Sequence, residues 1–225
     1  MNEVVLYHHL GLGDHFICNG LVHKFAEDYD KIYLPCKQHN YDTVEYLYSE
    51  SPKVEVVSIS GNEYEQVCNI GLSLDIPVLT VGFENCSHGV DWDISFYRQV
   101  DIDYSERYNS FKMPQKSPEF VIDVPDEPFI LVHDVSSVAQ YNLNVDTKYK
   151  IVKFEKGVSS NLFSYIDLIR NAIEIHCIDS SVYHLIDSLT DITDKLFYHH
   201  VRNAYSQKTR LLSKWEEVYY DRDDK

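Results

Sequence analysis

The chain has no block of clustered lysine and arginine. Its 225 residues carry 20 basic against 36 acidic side chains, a net charge of −16. Affinity for nucleic acid or an anionic membrane rests on such clusters, so neither partner is expected. There is no C-x-x-C pair either. Cys18, Cys36, Cys68, Cys86 and Cys177 are scattered and odd in number, the pattern of reduced thiols in a cytosolic compartment. Nothing approaches 18 consecutive apolar residues, which excludes a transmembrane helix. The opening Met1-Asn2-Glu3 lacks the basic start of a secretory leader, so a cytoplasmic location is expected. No H-E-x-x-H occurs, and the pairs His8-His9 and His199-His200 do not chelate one ion, because neighbours on a strand point to opposite faces. No resident metal and no cofactor is expected.

What is present is the composition of a folded protein, 44% apolar and 13% aromatic with eighteen tyrosines, which is ample for a core. The stretch 4–27 organises the rest. Val4-Val5-Leu6-Tyr7 reads as a strand, Leu10-Gly11-Leu12-Gly13-Asp14-His15 as a two-glycine turn, and the run from Phe16 as an amphipathic helix with Ile17, Leu21 and Phe25 on one face. Strands then alternate with helical stretches, at 31–35, 54–59 and 77–81 with helices at 41–48 and 63–70, the rhythm of βαβ units around a parallel sheet. The aromatic stretch 92–113 reads as helical. Four of the seven prolines (Pro114, Pro118, Pro125, Pro128) fall within fifteen residues, which marks a linker over 114–126 between domains at 1–113 and 127–225. Beyond it, strands are expected at 129–134, 150–154, 173–178 and 196–198. Leu211, Leu212, Trp215 and Val218 form the stripe of an expected terminal helix that packs back on the first half. The fold class is therefore α/β, with two Rossmann-like parallel-sheet halves expected to face each other across a cleft.

Three constellations carry chemistry. In open α/β sheets, ligands bind outside the carboxyl ends of the strands, and Gly11-Leu12-Gly13-Asp14-His15 sits at such an end. A carboxylate there serves equally to cap the helix or to take a proton from a hydroxyl nucleophile, with His15 beside it to orient substrate or act as an alternative base. A dinucleotide fingerprint would place a third glycine at 16, where Phe16 stands, so a nicotinamide enzyme is set aside. The second constellation, Asp179-Ser180-Ser181 with His184, hands a strand over to a helix through groups suited to a diphosphate. The third is His133-Asp134, followed by Ser136-Ser137, at the end of the first strand of the second half.

On these residues the chain resembles a known family. Gly11-Leu12-Gly13-Asp14-His15, followed by Ile17, Cys18, Asn19 and Gly20, looks like the N-terminal motif of two-domain GT-B glycosyltransferases, nearest to the heptosyltransferase-like group and its relatives in phages and large viruses. The segment 175–189 resembles that group's donor-site turn and helix. The resemblance implies an inverting, metal-independent transfer of a hexosyl, deoxyhexosyl or heptosyl unit from a nucleotide-diphosphate sugar, UDP- or GDP-linked, to a hydroxyl of a glycan acceptor. Asp14 matches the family's base, and Gly11, Gly13, His133, Asp134, Asp179, Ser180, Ser181 and His184 fall to the donor. The chain departs from the pattern in its short length and in lacking a clear Lys or Glu motif for the donor's ribose.

Two other readings compete. A GT-A glycosyltransferase would hold a metal through D-x-D, and Asp91-Trp92-Asp93 and Asp101-Ile102-Asp103 supply the triplet, although neither follows a clean apolar strand. A non-catalytic sugar- or nucleotide-binding module would use the same turns without turnover.

Overall fold

The structure is a computed structural model that describes residues 2–86, 90–155, 157–201 and 215–220. The chain forms two compact units, Met1–Ser117 and Pro118–Lys225. In the first, β1 (Glu3–Tyr7), α1 (Leu12–Ile17), α2 (Asn19–Asp28), β2 (Lys31–Lys37), α3 (Tyr41–Leu47), β3 (Val54–Ile59), α4 (Glu63–Leu74) and β4 (Val78–Thr80) alternate as expected. All strand pairs are parallel, in the order β3-β2-β1-β4. Val4, Val5 and Leu6 of β1 are buried without interruption, as befits a strand covered on both faces. Pro35 is accommodated in β2 because it lies past the stretch paired with β1, which ends at Tyr33.

The single helix expected from Phe16 is two helices, and the first begins earlier, at Leu12. The break is built by a distant side chain. The Tyr97 hydroxyl donates to the Ile17 carbonyl at 2.8 Å and accepts from the Leu21 N–H at 3.2 Å. Those two backbone groups would bond each other in a continuous helix, and a side chain inserted between them bends the ladder. Tyr97 lies on α5 (Trp92–Arg98), which is followed by α6 (Glu106–Asn109). The continuous helix expected over 92–113 is thus interrupted, with Asp101 at φ +56° between the two pieces. A fully buried ion pair, Arg107 to Asp93 at 2.6 Å, closes the interruption, with the Tyr104 hydroxyl bound to both. Gly20 permits the packing of α2 on α6, since a Cβ there would stand 2.0 Å from the Glu106 carbonyl oxygen.

The second unit runs β5 (Phe129–His133), β6 (Lys150–Lys153), α7 (Ile166–Asn171), β7 (Glu174–Ile178), α8 (Ser181–Asp187), β8 (Leu196–His200) and β9 (Trp215–Tyr219). Its sheet is again parallel, in the order β6-β5-β7-β8-β9. The expected terminal helix is corrected here. Trp215 and Val218 lie on a strand paired with β8 in the second sheet, not on a helix packed against the first half, while Leu211 and Leu212 lie outside the described residues. Period two places Trp215 on the face toward α8, where its indole N–H donates to Asp187 at 3.1 Å and its ring lies 4.9 Å from Tyr183.

Both sheets reverse direction beside their first strand. The chain goes from β1 to β2 on one side and later crosses to β4 on the other, and likewise from β5 to β6 and then to β7. The carboxyl ends of β1 and β5 are therefore topological switch points, where open α/β sheets form ligand crevices.

Candidate functional site

At the β1 switch point, Gly11 is the N-cap of α1 with an ordinary φ of −66°. Its lack of a side chain matters sterically: a Cβ would lie 2.6 Å from an Asp14 carboxylate oxygen. That oxygen accepts the Gly11 N–H at 3.2 Å. Gly13 belongs to the first turn of the helix rather than to a loop before it, and Asp14 is the third helical residue. Asp14 does cap the helix, but the cap does not account for its environment. Burial pushes its carboxyl up from 3.8 to about 7, against the opposing pull of the Gly11 N–H and the Lys37 ammonium. Lys37, the last residue of β2, is ion-paired to Glu63 at 2.8 Å. His15 is fully enclosed with its ring 4.6 Å from that of His8. Burial holds it neutral, well below the usual histidine range, and it opens to no solvent from which an acceptor would approach.

At the β5 switch point, two of the expected residues meet across neighbouring strands. Ser180, the N-cap of α8, accepts the Tyr183 N–H at 3.4 Å and stands 3.2 Å from His133 Nδ1. The Ser180 hydroxyl, while accepting from the backbone, keeps a proton to donate and a second lone pair to accept, so it pairs with either tautomer of neutral His133. Burial holds His133 at about 4. Asp134 is buried and paired to Lys153 at 2.6 Å, the lysine being half exposed. Asp179 and Ser181 flank Ser180, partly buried, at the same turn. His184 lies within the body of α8, buried against Tyr183 rather than at the turn.

Beside this corner lies a cavity of about 400 Å³ lined by Val135, Ser137 to Gln140, Lys153, Phe154 and Glu155. The expected residues adjoin it through their partners, Asp134 through Lys153 and His133 through the Phe154 ring at 5.1 Å. Lys37 and Lys153 escaped the sequence reading, yet they share a legible signal. Each ends the strand next to the first strand of its sheet, as Leu34-Pro35-Cys36-Lys37 and Ile151-Val152-Lys153.

The structure brings Gly11 and Asp14 together in one unit and His133, Asp134 and Ser180 in the other. The D-x-D triplets do not make an ion cradle. Asp93 is committed to Arg107 and Tyr104 in the interior, and Asp103 caps the Ser105 N–H at 2.8 Å. Among the described residues no group of three or more His, Cys, Asp or Glu is arranged to hold a metal ion.

No family model and no curated protein sequence matches the chain. Solved structures do match its fold. The E. coli ADP-heptose LPS heptosyltransferase II superposes with a TM-score of 0.58 at 13% identity, over 97% of this chain and 90% of that one. A glycosyl transferase family 9 protein from Veillonella parvula DSM 2008 gives 0.51 at 10% identity, over 97% and 86%. The iron-containing dodecameric glycosyltransferase TibC from enterotoxigenic E. coli H10407 gives 0.50 at 12% identity, over 82% of this chain, which spans about half of TibC (55%). The class defined is thus an α/β protein of two parallel-sheet halves, the GT-B glycosyltransferase fold. At these identities the likeness is one of fold.

Proposed function

We propose that the protein is a glycosyltransferase that moves a sugar from a nucleotide-diphosphate sugar to a hydroxyl of a glycan acceptor, with inversion and without a metal, using Asp14 as general base. The observation that carries this reading is the placement of Asp14 at the β1 switch point, half-buried, with its carboxyl held near neutrality. The acceptor oxygen attacks the anomeric carbon from the side opposite the leaving group. As the new carbon–oxygen bond forms, the hydroxyl proton passes to the Asp14 carboxylate and the bond to the nucleotide diphosphate breaks. A base whose pKa lies near the working pH combines a useful ionised fraction with enough basicity, and such help is worth about 10²–10⁴ in rate. His15, being enclosed, is not assigned this role.

The donor is assigned to the second unit. His133, Ser180 and Ser181 offer hydrogen bonds at the β5–β7 corner, and Lys153 brings a cation beside the cavity for a diphosphate. The donor is UDP- or GDP-linked in this proposal, and no cofactor is required. The test is transfer by the purified protein across a panel of nucleotide sugars, with and without EDTA, beside Asp14→Asn. The reading expects turnover that survives chelation and falls by roughly two orders of magnitude or more in a folded Asp14→Asn that still binds nucleotide. Turnover abolished by EDTA would return the case to a metal-dependent enzyme, and nucleotide binding with no turnover would make the chain a binding module.

A further inference from the structure

Away from the Asp14 and Ser180 corners, the second sheet holds an unbroken run of polar groups, buried at its two histidines and half-buried at its ends. Glu174 Oε1 lies 2.7 Å from His176 Nε2, His176 Nδ1 lies 2.7 Å from His199 Nε2, and His199 Nδ1 lies 2.7 Å from the Tyr220 hydroxyl. That hydroxyl accepts the backbone N–H of Asn144 at 3.1 Å. The proton positions follow by elimination. With Glu174 Oε1 as the acceptor, His176 carries its proton on Nε2 and its Nδ1 is a lone pair. That lone pair calls for the Nε2 proton of His199, whose own Nδ1 then accepts from Tyr220. Every donor in the run points toward Glu174.

The far end of the run holds a particular piece of chain. Residues 134–141 close on themselves through the bonds Tyr141 N–H to Asp134 and Ser136 N–H to Ala139 and the bridge of Val135 with Gln140. Among the described residues, the bond from Asn144 is the one that ties the backbone of 142–148 to another element. We propose that Glu174, His176, His199 and Tyr220 form a proton-operated latch that fastens the 134–144 segment to the end of β9, and that uptake of one proton by the histidine pair releases it.

The reason lies in the polarity of the run. A proton added to His199 lands on Nδ1, which then points at the Tyr220 oxygen. A proton added to His176 lands on Nδ1 and drives His199 to its other tautomer, with the same result. Either way Tyr220 must turn its own proton aside, and its oxygen becomes the target of both the imidazole N–H and Asn144. A charged donor makes the stronger bond, so Asn144 is displaced. The groups facing the pair are Glu174 on β7 and Glu216 on β9, which favour the proton, and His200 on β8, which opposes it. Burial outweighs them, holding His176 low and His199 at about 4.

Because Asp134 and the cavity wall belong to the fastened segment, the latch also controls nucleotide binding, a consequence that rests on the donor assignment above. The test is made on the full chain. Nitrogen-15 ring shifts at pH 7 are expected to show the Nε2–H tautomer for both His176 and His199, and an Nδ1–H tautomer on either would overturn the latch. Tyr220→Phe removes the oxygen that holds Asn144, so the exchange protection of the Asn144 amide at pH 7 is expected to fall at least about tenfold while amides of β5 and β7 keep theirs. In the native chain the same selective loss is expected on lowering the pH toward 4. Protection of Asn144 unchanged by Tyr220→Phe, or lost only together with β5 and β7, overturns the proposal. UDP and GDP affinity, measured in parallel, is expected to drop with Asn144 protection. Failure of either nucleotide to bind at pH 7 would count against the donor assignment, while the tautomers and the Asn144 amide still decide the latch.

Discussion

Asp14 is destabilising where it is useful. Its folded pKa of about 7 stands above the 3.8 of the unfolded carboxyl, so the native state favours the protonated form. That contribution is fully present below about 3.8 and is lost as pH rises through 7. At pH 8 the charge is held in place at a cost, and Asp14→Asn, which keeps an oxygen for the Gly11 N–H, is expected to melt a few degrees higher than the native chain while losing transfer. A thermal melt and a rate assay on one preparation check both halves, and a variant less stable at pH 8 would argue against the buried carboxylate. The same logic applies to Lys37. Its charge holds the Asp14 carboxyl down, so Lys37→Gln is expected to move the rising limb of the pH–rate profile upward from near 7 without abolishing activity. Asp14 was legible in the sequence because an acidic residue follows a strand and a glycine turn there. Lys37 was not, because its nearness to Asp14 arises from the parallel pairing of β1 with β2 and not from a local motif.

Among elements, strands 1 to 8 were readable from apolar runs bounded by prolines, glycines and polar turns, whereas three helices were misjudged for one shared reason. The α1–α2 break, the α5–α6 interruption and the terminal strand all depend on partners far along the chain: Tyr97 against Ile17 and Leu21, Asp93 against Arg107, and Trp215 against Asp187. Periodicity sees only neighbours, and the three-residue spacing of Trp215 and Val218 fits a helix as well as it fits a strand with one face half covered. The α1–α2 break also governs where Asp14 stands, since α1 is free to take its own direction only because Tyr97 completes the interrupted ladder. Tyr97→Phe removes a buried hydroxyl that serves one donor and one acceptor. It is expected to cost about 1–3 kcal/mol in a denaturant melt and to lower transfer as well, because α1 shifts with the repaired ladder. Gly20→Ala probes the same joint from the other side. A Cβ placed 2.0 Å from the Glu106 carbonyl forces α2 and α6 apart, and overpacking of this kind costs about 1–3 kcal/mol or more.

At the scale of the whole molecule, the buried histidines set how the protein answers acid. His8 and His23 in the first unit and His133 and His199 in the second are each held at about 4, with burial the leading cause in every case. Burial lowers His15 and His176 as well. An unfolded histidine binds its proton near 6.5, so between 6.5 and 4 the unfolded chain carries more protons than the native one. Stability is therefore fully present above about 6.5 and is lost progressively as pH falls toward 4. A difference of that size is worth at most about 3 kcal/mol per histidine. With two such groups in each unit, the loss is of the same order as the roughly 5–15 kcal/mol that holds a domain folded. Asp14 works in the opposite direction over part of this range, but it is a single group in one unit. The expected outcome is a melting temperature that is nearly flat from pH 8 to 7 and falls below 6.5 as pH approaches 4, while the chain stays folded at room temperature. Replacing one enclosed histidine per unit by a neutral isostere of similar shape, His23→Gln and His199→Gln, is expected to flatten the acid limb in proportion, even if it lowers stability at pH 7. A native chain that melts at the same temperature at pH 7 and pH 5 would show that these rings are protonated in the folded state and that their burial is less dry than the structure has it.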